Sequence, residues 1–280
     1  MYTIRKKEKL APNIYSMDID APRVARKARA GQFVILRSHE EGERIPLTVA
    51  GADPEAGTVR VIFQVLGLST QLMATLEEGQ HFADLAGPLG KPSPLPEKGR
   101  VLCIGGGVGT AVAYPSIREL HRRGVSVDVI IGARSSDLLI LEREIAPLCD
   151  RLIIATDDGT RGRKGFVTDA LRDLLASGEK YDEVIVIGPI IMMKLVAAIT
   201  REYGIRTIAS LNPIMVDGTG MCGSCRVTVG GEVRYACVDG PDFDAHRVDF
   251  DELMNRQCVY RDEEKKMWEK HHCGGNCICR

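Results

Sequence analysis

The chain has 280 residues, long enough for two or three domains with their own cores. Lys plus Arg (37) nearly balance Asp plus Glu (38), which leaves no charge excess for nucleic acid or an anionic membrane. Nine cysteines in a chain of this length do not make a disulfide scaffold; their grouping at Cys222/Cys225/Cys237 and Cys273/Cys277/Cys279 points to metal and a reducing cytoplasm.

The opening Met1–Leu10 has no apolar core of a signal peptide. Residues 1–97 read as β. Gly31–Arg37, Ile45–Gly51 and Thr58–Val65 are alternating or β-branched runs separated by Gly, Pro and Asp. One helix is expected over Ser69–Leu76. Short strands with one helix suggest a small closed barrel. Arg44-Ile-Pro-Leu-Thr48 places a cation and a hydroxyl at a strand start. Gly67-Leu-Ser-Thr70 sits where a strand hands over to a helix N-terminus, whose free N–H groups suit a phosphate; Ser69 would equally serve as a plain helix cap. Gly87-Pro-Leu-Gly90 reads as a closing turn and Pro92–Gly99 as a stiff linker.

From residue 98 to 212 the period changes. Arg100–Ile104 is a buried strand, Gly105-Gly106-Gly107-Val108-Gly109-Thr110 a glycine loop, and a helix follows to His121. Strand, glycine loop and helix form the setting of a dinucleotide site, although Thr110 takes the place of the last glycine. Strands are expected at Ser126–Ile131, Leu152–Ala155 and Glu183–Ile187, with helices near Leu141–Leu148, Val167–Ser177 and Met192–Tyr203. The alternation implies an open, mostly parallel Rossmann-like sheet with its ligand at the strand carboxyl ends. Those ends hold the glycine loop, Gly132 and Arg134, Asp157 and Asp158, and Gly188-Pro189. Arg134 is placed to receive a 2′-phosphate, or is a solvated loop residue; NAD and NADP both remain open. The apolar run Val184–Ile199 is broken by Gly188-Pro189 and Lys194, so it is strand, turn and helix rather than a membrane span.

Residues 213–280 carry Asp217-Gly-Thr-Gly-Met-Cys222-Gly-Ser-Cys225 and, after a Gly230-Gly231 hairpin, Cys237. Asp-x4-Cys-x2-Cys-x11-Cys matches plant-type 2Fe–2S spacing with aspartate as first ligand. The competing readings are zinc, which lacks its second knuckle here, and a simple Asp-Gly turn at Asp217. A charged helix is expected over Asp262–Lys270, and the tail cysteines with His271 and His272 are either a second metal site or a disordered or partner-bound tail.

Arg44–Thr48 with Gly67–Thr70 resembles the flavin domain of the ferredoxin-reductase superfamily, although the arginine stands one residue early in the R-x-Y-S/T pattern and Leu47 replaces its tyrosine. That resemblance implies a Greek-key FAD barrel with Thr48 near the flavin ring edge and Phe63-Gln64-Val65 along the flavin. With Gly105–Thr110, Asp157-Asp-Gly-Thr160, the ligand loop and Ala236-Cys-Val-Asp-Gly-Pro241 added, the chain is similar to electron-transfer subunits of dihydroorotate dehydrogenase B. It looks closer still to the small subunit of NADH-dependent reduced ferredoxin:NADP oxidoreductase and the β subunit of sulfide dehydrogenase, which share the Asp ligand. The resemblance implies an FAD barrel (1–97), an NAD(P) domain (98–212) and a 2Fe–2S domain (213–280). It also implies a heterodimer with a larger flavin and iron–sulfur subunit, ferredoxin reached indirectly, and electron bifurcation. The alternatives are a polysulfide-reducing subunit, a stand-alone flavoreductase and a zinc-stabilised docking module.

Overall fold

The computed structural model describes residues 1–273. The first sheet contains β1 (Tyr2–Ala11), β2 (Ile14–Asp20), β3 (Phe33–Arg37), β4 (Arg44–Asp53), β5 (Thr58–Gln64), β6 (His81–Phe82) and β7 (Asp84–Leu89). Its order is β6-β1-β2-β5-β4-β3-β7, and every pairing is antiparallel. The chain crosses from one edge to the other within a single residue. Phe82 pairs with Tyr2, whereas the Ala83 N–H already donates to the Arg37 carbonyl (2.9 Å). That step makes the sheet a nearly closed barrel, filled by Ile4, Met17, Val34, Leu36, Val61, Phe63 and Phe82. A short helix, α1 (Pro22–Ala25), follows β2, and α2 (Leu68–Thr75) follows β5 and buries Met73.

One barrel strand is not singled out in the sequence, and one expected turn is a strand. The run Arg5-Lys-Lys-Glu-Lys9 lies inside β1, held by its ladder to β2; only Ile4 and Ala11 of that strand are buried, so its pattern carries little apolar signal. Gly87, Pro88 and Leu89 belong to β7 rather than to a turn, because Phe33 pairs with Leu89 and Ile35 with Ala86.

The second sheet is built from β8 (Arg100–Gly106), β9 (Ser126–Ala133), β10 (Arg151–Thr156), β11 (Arg163–Lys164), β12 (Glu183–Ile187) and β13 (Arg206–Ser210), all parallel. Helices α3 (Gly109–Arg122), α4 (Glu142–Ile145), α5 (Val167–Ala176) and α6 (Ile190–Glu202) connect them. Because helices cover both faces, β8 and β12 are apolar along most of their length. The expected Leu141–Leu148 helix is only α4 plus a single 3₁₀ turn at Ala146–Leu148, since Pro147 has no N–H to continue the ladder. β13 escaped the sequence reading.

The last segment has the hairpin β14 (Arg226–Val229) and β15 (Glu232–Tyr235), α7 (Ala236–Asp239), β16 (Asp242–Asp244), α8 (Phe250–Arg256) and α9 (Arg261–Cys273). β16 joins the central sheet as an antiparallel edge strand against β13. Val227, Val229, Phe250 and Leu253 enter the same core as α5 and α6. Cys277 and Cys279 lie outside the described residues, as does the side chain of Cys273, so the tail-metal expectation falls there too. Among the described residues no helix is long and apolar enough to cross a membrane.

Candidate functional site

β8 and β12 are neighbours, yet their following helices lie on opposite faces of the sheet, so a crevice opens above their carboxyl ends. The barrel closes that crevice into a cleft of about 950 Å³. Pro46 and Thr48 of β4 and Gln64 of β5 line one wall. Gly106, Gly107, Val108, Gly109, Gly132, Arg134, Asp157, Gly188 and Pro189 line the other. Strand alternation selects these barrel residues: Thr48 faces the cleft, while Leu47, Phe63 and Val65 pack with the barrel core. Phe63 is buried and stacks on Tyr15 with ring centroids 6.1 Å apart.

The glycine loop has the backbone a pyrophosphate requires. Gly107 has φ +57°, and a Cβ placed there would meet nothing within 4 Å, so its backbone lies open for close approach. Its N–H donates to the Gly132 carbonyl (2.8 Å), tying the loop to the next strand. At Gly109 a Cβ would come 2.5 Å from the Ile187 carbonyl oxygen, so the start of α3 sits directly on β12. The loop therefore presents a helix N-terminus to the cleft, and the residues fit a dinucleotide.

Several expected residues stand outside the cleft lining. Arg44 is exposed at the start of β4. Gly105 and Thr110 are buried beneath the loop. Asp158 turns back to accept the Thr160 N–H (2.9 Å) and hydroxyl (2.7 Å). At α2, Gly67 is the N-cap, the Thr70 hydroxyl accepts the Leu66 and Gly67 N–H groups (3.0 and 3.1 Å), and the Ser69 hydroxyl donates to Glu43. Those two hydroxyls are engaged within the protein. The cleft also takes in Phe33, Ser210, Leu211, Asn212, Met215 and Pro241, which sequence reasoning missed. Recognising β13 would have found Ser210–Asn212, because they stand at and just beyond its carboxyl end.

The second centre is the ligand loop. The Cys225 and Cys237 sulfurs are 3.1 Å apart and buried, and the Cys237 N–H faces the Cys225 sulfur (3.4 Å). Asp217 accepts the Thr219 N–H (2.7 Å) and the Cys222 N–H (2.9 Å), which lowers its pKa. The Ser224 hydroxyl and N–H, and then the Asp217 N–H, hold the Cys222 thiol below its ordinary value and favour thiolate, the ligand form. Burial and the neighbouring Cys225 raise Cys237, while the Gly220 N–H opposes them. The donors thus stand as two pairs, Asp217 with Cys222 and Cys225 with Cys237. No group of three His, Cys, Asp or Glu side chains among the described residues is gathered for a single metal ion. A thiolate-rich donor set with inward N–H groups fits an iron–sulfide cluster.

The two centres touch. Cys225, Cys237 and Ala236 form one buried cluster with Phe33, Ile35 and Met215, and both Phe33 and Met215 also line the cleft. A flavin barrel joined to a nucleotide sheet, with a cluster loop against the barrel, defines an iron–sulfur reductase of the ferredoxin-reductase type.

Comparison with known proteins narrows this class. Residues 212–249 match the family described as the iron-sulfur cluster binding domain of dihydroorotate dehydrogenase B. The chain is 47% identical over 267 residues to a dihydroorotate dehydrogenase B (NAD(+)) electron transfer subunit homolog of Thermotoga maritima, covering 95% of this chain and 94% of that protein. It is 32% identical to the electron transfer subunit of Desulforamulus reducens, covering 85% and 94%. A solved chain from the NADH-dependent reduced ferredoxin-NADP oxidoreductase, described in connection with flavin-based electron bifurcation, is 45% identical with a TM-score of 0.93 and 98% coverage of both chains. The chain belongs to the family of dihydroorotate dehydrogenase B electron-transfer subunits. It is an NAD(P)H-linked oxidoreductase subunit whose cofactors are FAD and a 2Fe–2S cluster. The iron–sulfur match decides against the zinc docking module.

Proposed function

We propose that this subunit passes electrons between a nicotinamide nucleotide on the Gly106–Gly109 loop, FAD along Pro46, Thr48 and Gln64, and a cluster ligated by Asp217, Cys222, Cys225 and Cys237. The observation that carries the reading is the double position of Phe33 and Met215, in the cleft wall and in the apolar packing around Cys225 and Cys237. When bound, flavin converts a two-electron donor into single electrons and the cluster relays them. The chain's own work is placement. Gly107 and Gly109 admit the pyrophosphate, Thr48 offers a hydroxyl to the flavin, and Phe33 and Met215 exclude water between the two centres. Asp217 and Cys222 on the exposed side and buried Cys225 and Cys237 beneath them would hold the cluster. Arg134, exposed at the cleft rim, is positioned for a 2′-phosphate.

The subunit works in a heterodimer with a larger flavin and iron–sulfur subunit, which reaches ferredoxin and supports bifurcation in the cytoplasm. Support comes from the bifurcating relative and from the surface beside the ligand loop. Met221 is 89% exposed, and Val216, Val233 and Val238 are exposed on the same segment, an apolar surface suited to a partner.

Anaerobic purification from the native host tests this. Expected are iron, acid-labile sulfide, FAD and a co-purifying larger chain, with cluster reduction on adding NADH or NADPH. A colourless zinc protein overturns the reading. Full physiological activity without a second chain removes the heterodimer.

A further inference from the structure

The mechanism leaves unused a half-buried acid, Asp242, whose Oδ1 is enclosed by protein. Asp242 opens β16, pairs in register with Ser210 of β13, and stands five residues after Cys237. One oxygen, Oδ2, accepts the Ser93 hydroxyl from the linker, and the Ser210 side chain favours the charged form of the carboxyl. The other, Oδ1, is buried with no hydrogen-bond partner. The surrounding backbone is continuous with every part of the machine. The Lys91 N–H donates to the Gly240 carbonyl (2.7 Å), the Leu211 N–H to the Pro241 carbonyl (2.9 Å), and the Ser93 N–H to the Ala30 carbonyl of the barrel (2.8 Å). Pro241, Ser210 and Leu211 line the cleft.

Opposing influences act on its protonation. The Ser93 and Ser210 hydroxyls favour the carboxylate, whereas the enclosed, unpartnered Oδ1 favours the neutral acid. Among the described residues no cation pairs with it. Its charged surroundings are Glu183 on β12, already paired with Arg206 of β13; the Lys91–Asp239 pair (3.9 Å) on the linker and α7; and Asp244 and His246 beyond it on its own segment. Glu183 and Asp242 repel as anions, which again favours the neutral form of one. Burial dominates and raises the Asp242 carboxyl above its ordinary value.

We propose that Asp242, whose neighbour Phe243 packs against Cys225 and Cys237, is a positioning residue of the electron relay that binds a proton when the cluster gains an electron and releases it when the electron leaves. The inference rests on the electron-transfer reading above. For each single electron that the cluster would take from flavin already reduced by a hydride, the balance is one proton from solvent to the Asp242 carboxylate, with Ser93, half-exposed, as the contact to water. The net charge of the junction is then conserved, so a buried electron does not stand uncompensated in a low-dielectric interior.

The test is the midpoint potential of the cluster against pH, read by EPR on the purified complex, because cluster reduction needs no proton of its own. Wild type is expected to show a pH-dependent window approaching one proton per electron, and Asp242→Asn a flat profile with cluster and FAD contents retained. Ser93→Ala, which removes a donor to the carboxylate, is expected to move the window to higher pH, and it serves if Asp242→Asn fails to assemble. Redox-difference infrared spectra are expected to show a protonated-carboxyl band in wild type that is lost in Asp242→Asn. A wild-type profile that is flat, or one unchanged in Asp242→Asn or in Ser93→Ala, overturns the inference while leaving the electron-transfer reading intact. Protein without any cluster signal overturns both.

Discussion

Gly218 of the ligand loop lies against Ile35 of the barrel so closely that a Cβ on the glycine would come 2.7 Å from the Ile35 Cδ1. Leu89 Cδ1 stands at the same distance, and Gly218 holds φ +75°. The loop is seated on β3 and β7 through a residue that only glycine suits. Gly218→Ala is expected to cost about 1–3 kcal/mol by overpacking and strain. The expected result is a lower iron and acid-labile sulfide content with FAD retained, measured by metal analysis and absorbance. Full cluster occupancy in this variant would contradict the seating.

In the proposed ligand set Asp217 offers a hard oxygen donor among three thiolates. Asp217→Cys is expected to keep the cluster but change its visible spectrum and reduction potential. Asp217→Ala also removes the acceptor for the Thr219 and Cys222 N–H groups and is expected to lose it. A spectrum and potential for Asp217→Cys identical to wild type would count against ligation.

Thr48 is the barrel hydroxyl turned to the cleft. Thr48→Val keeps the shape and removes about 1 kcal/mol of hydrogen bonding. Flavin affinity is expected to fall by about fivefold, with nucleotide binding unaffected, as measured by fluorescence titration of the flavin-depleted protein.

Gly109→Ala would drive a Cβ to 2.5 Å from the Ile187 carbonyl oxygen and lift α3 from β12. At about 1–3 kcal/mol for such overpacking, nucleotide affinity is expected to drop on the order of tenfold. Calorimetry of NAD(P)H binding checks this, and an unchanged cluster spectrum shows that the effect is local.

Glu119 near the end of α3 accepts bonds from Arg122 and Arg123, which hold its carboxyl down at about 2. Its folded pKa is lowered, so its contribution is present above the unfolded value, ordinarily near 4.5, and is lost as pH falls toward 2. Glu119→Gln is expected to destabilise the protein modestly at pH 7, with the difference from wild type shrinking between pH 4.5 and 2. Chemical denaturation at several pH values measures it; a constant difference would refute the assignment.

Local rules suffice where a residue's partners lie nearby in the chain. Gly105–Gly109 between an apolar strand and a helix, the Gly230-Gly231 hairpin, and the spacing of Asp217, Cys222, Cys225 and Cys237 are all legible as text, because turn chemistry and ligand spacing are properties of short segments. The charged strand β1, the seventh central strand β16 and the enclosure of the Asp242 carboxyl are not, since each depends on a ladder or hydroxyl supplied from far along the chain. The same distinction divides the site. The sequence by itself determined which chemistry the protein carries, by spelling out a nucleotide loop and a ligand set. Only the tertiary structure decided that Phe33 and Met215 belong to both the cleft and the cluster packing, because that contact joins a barrel strand to a loop almost two hundred residues later, and packing between such distant segments leaves no periodic trace in the chain.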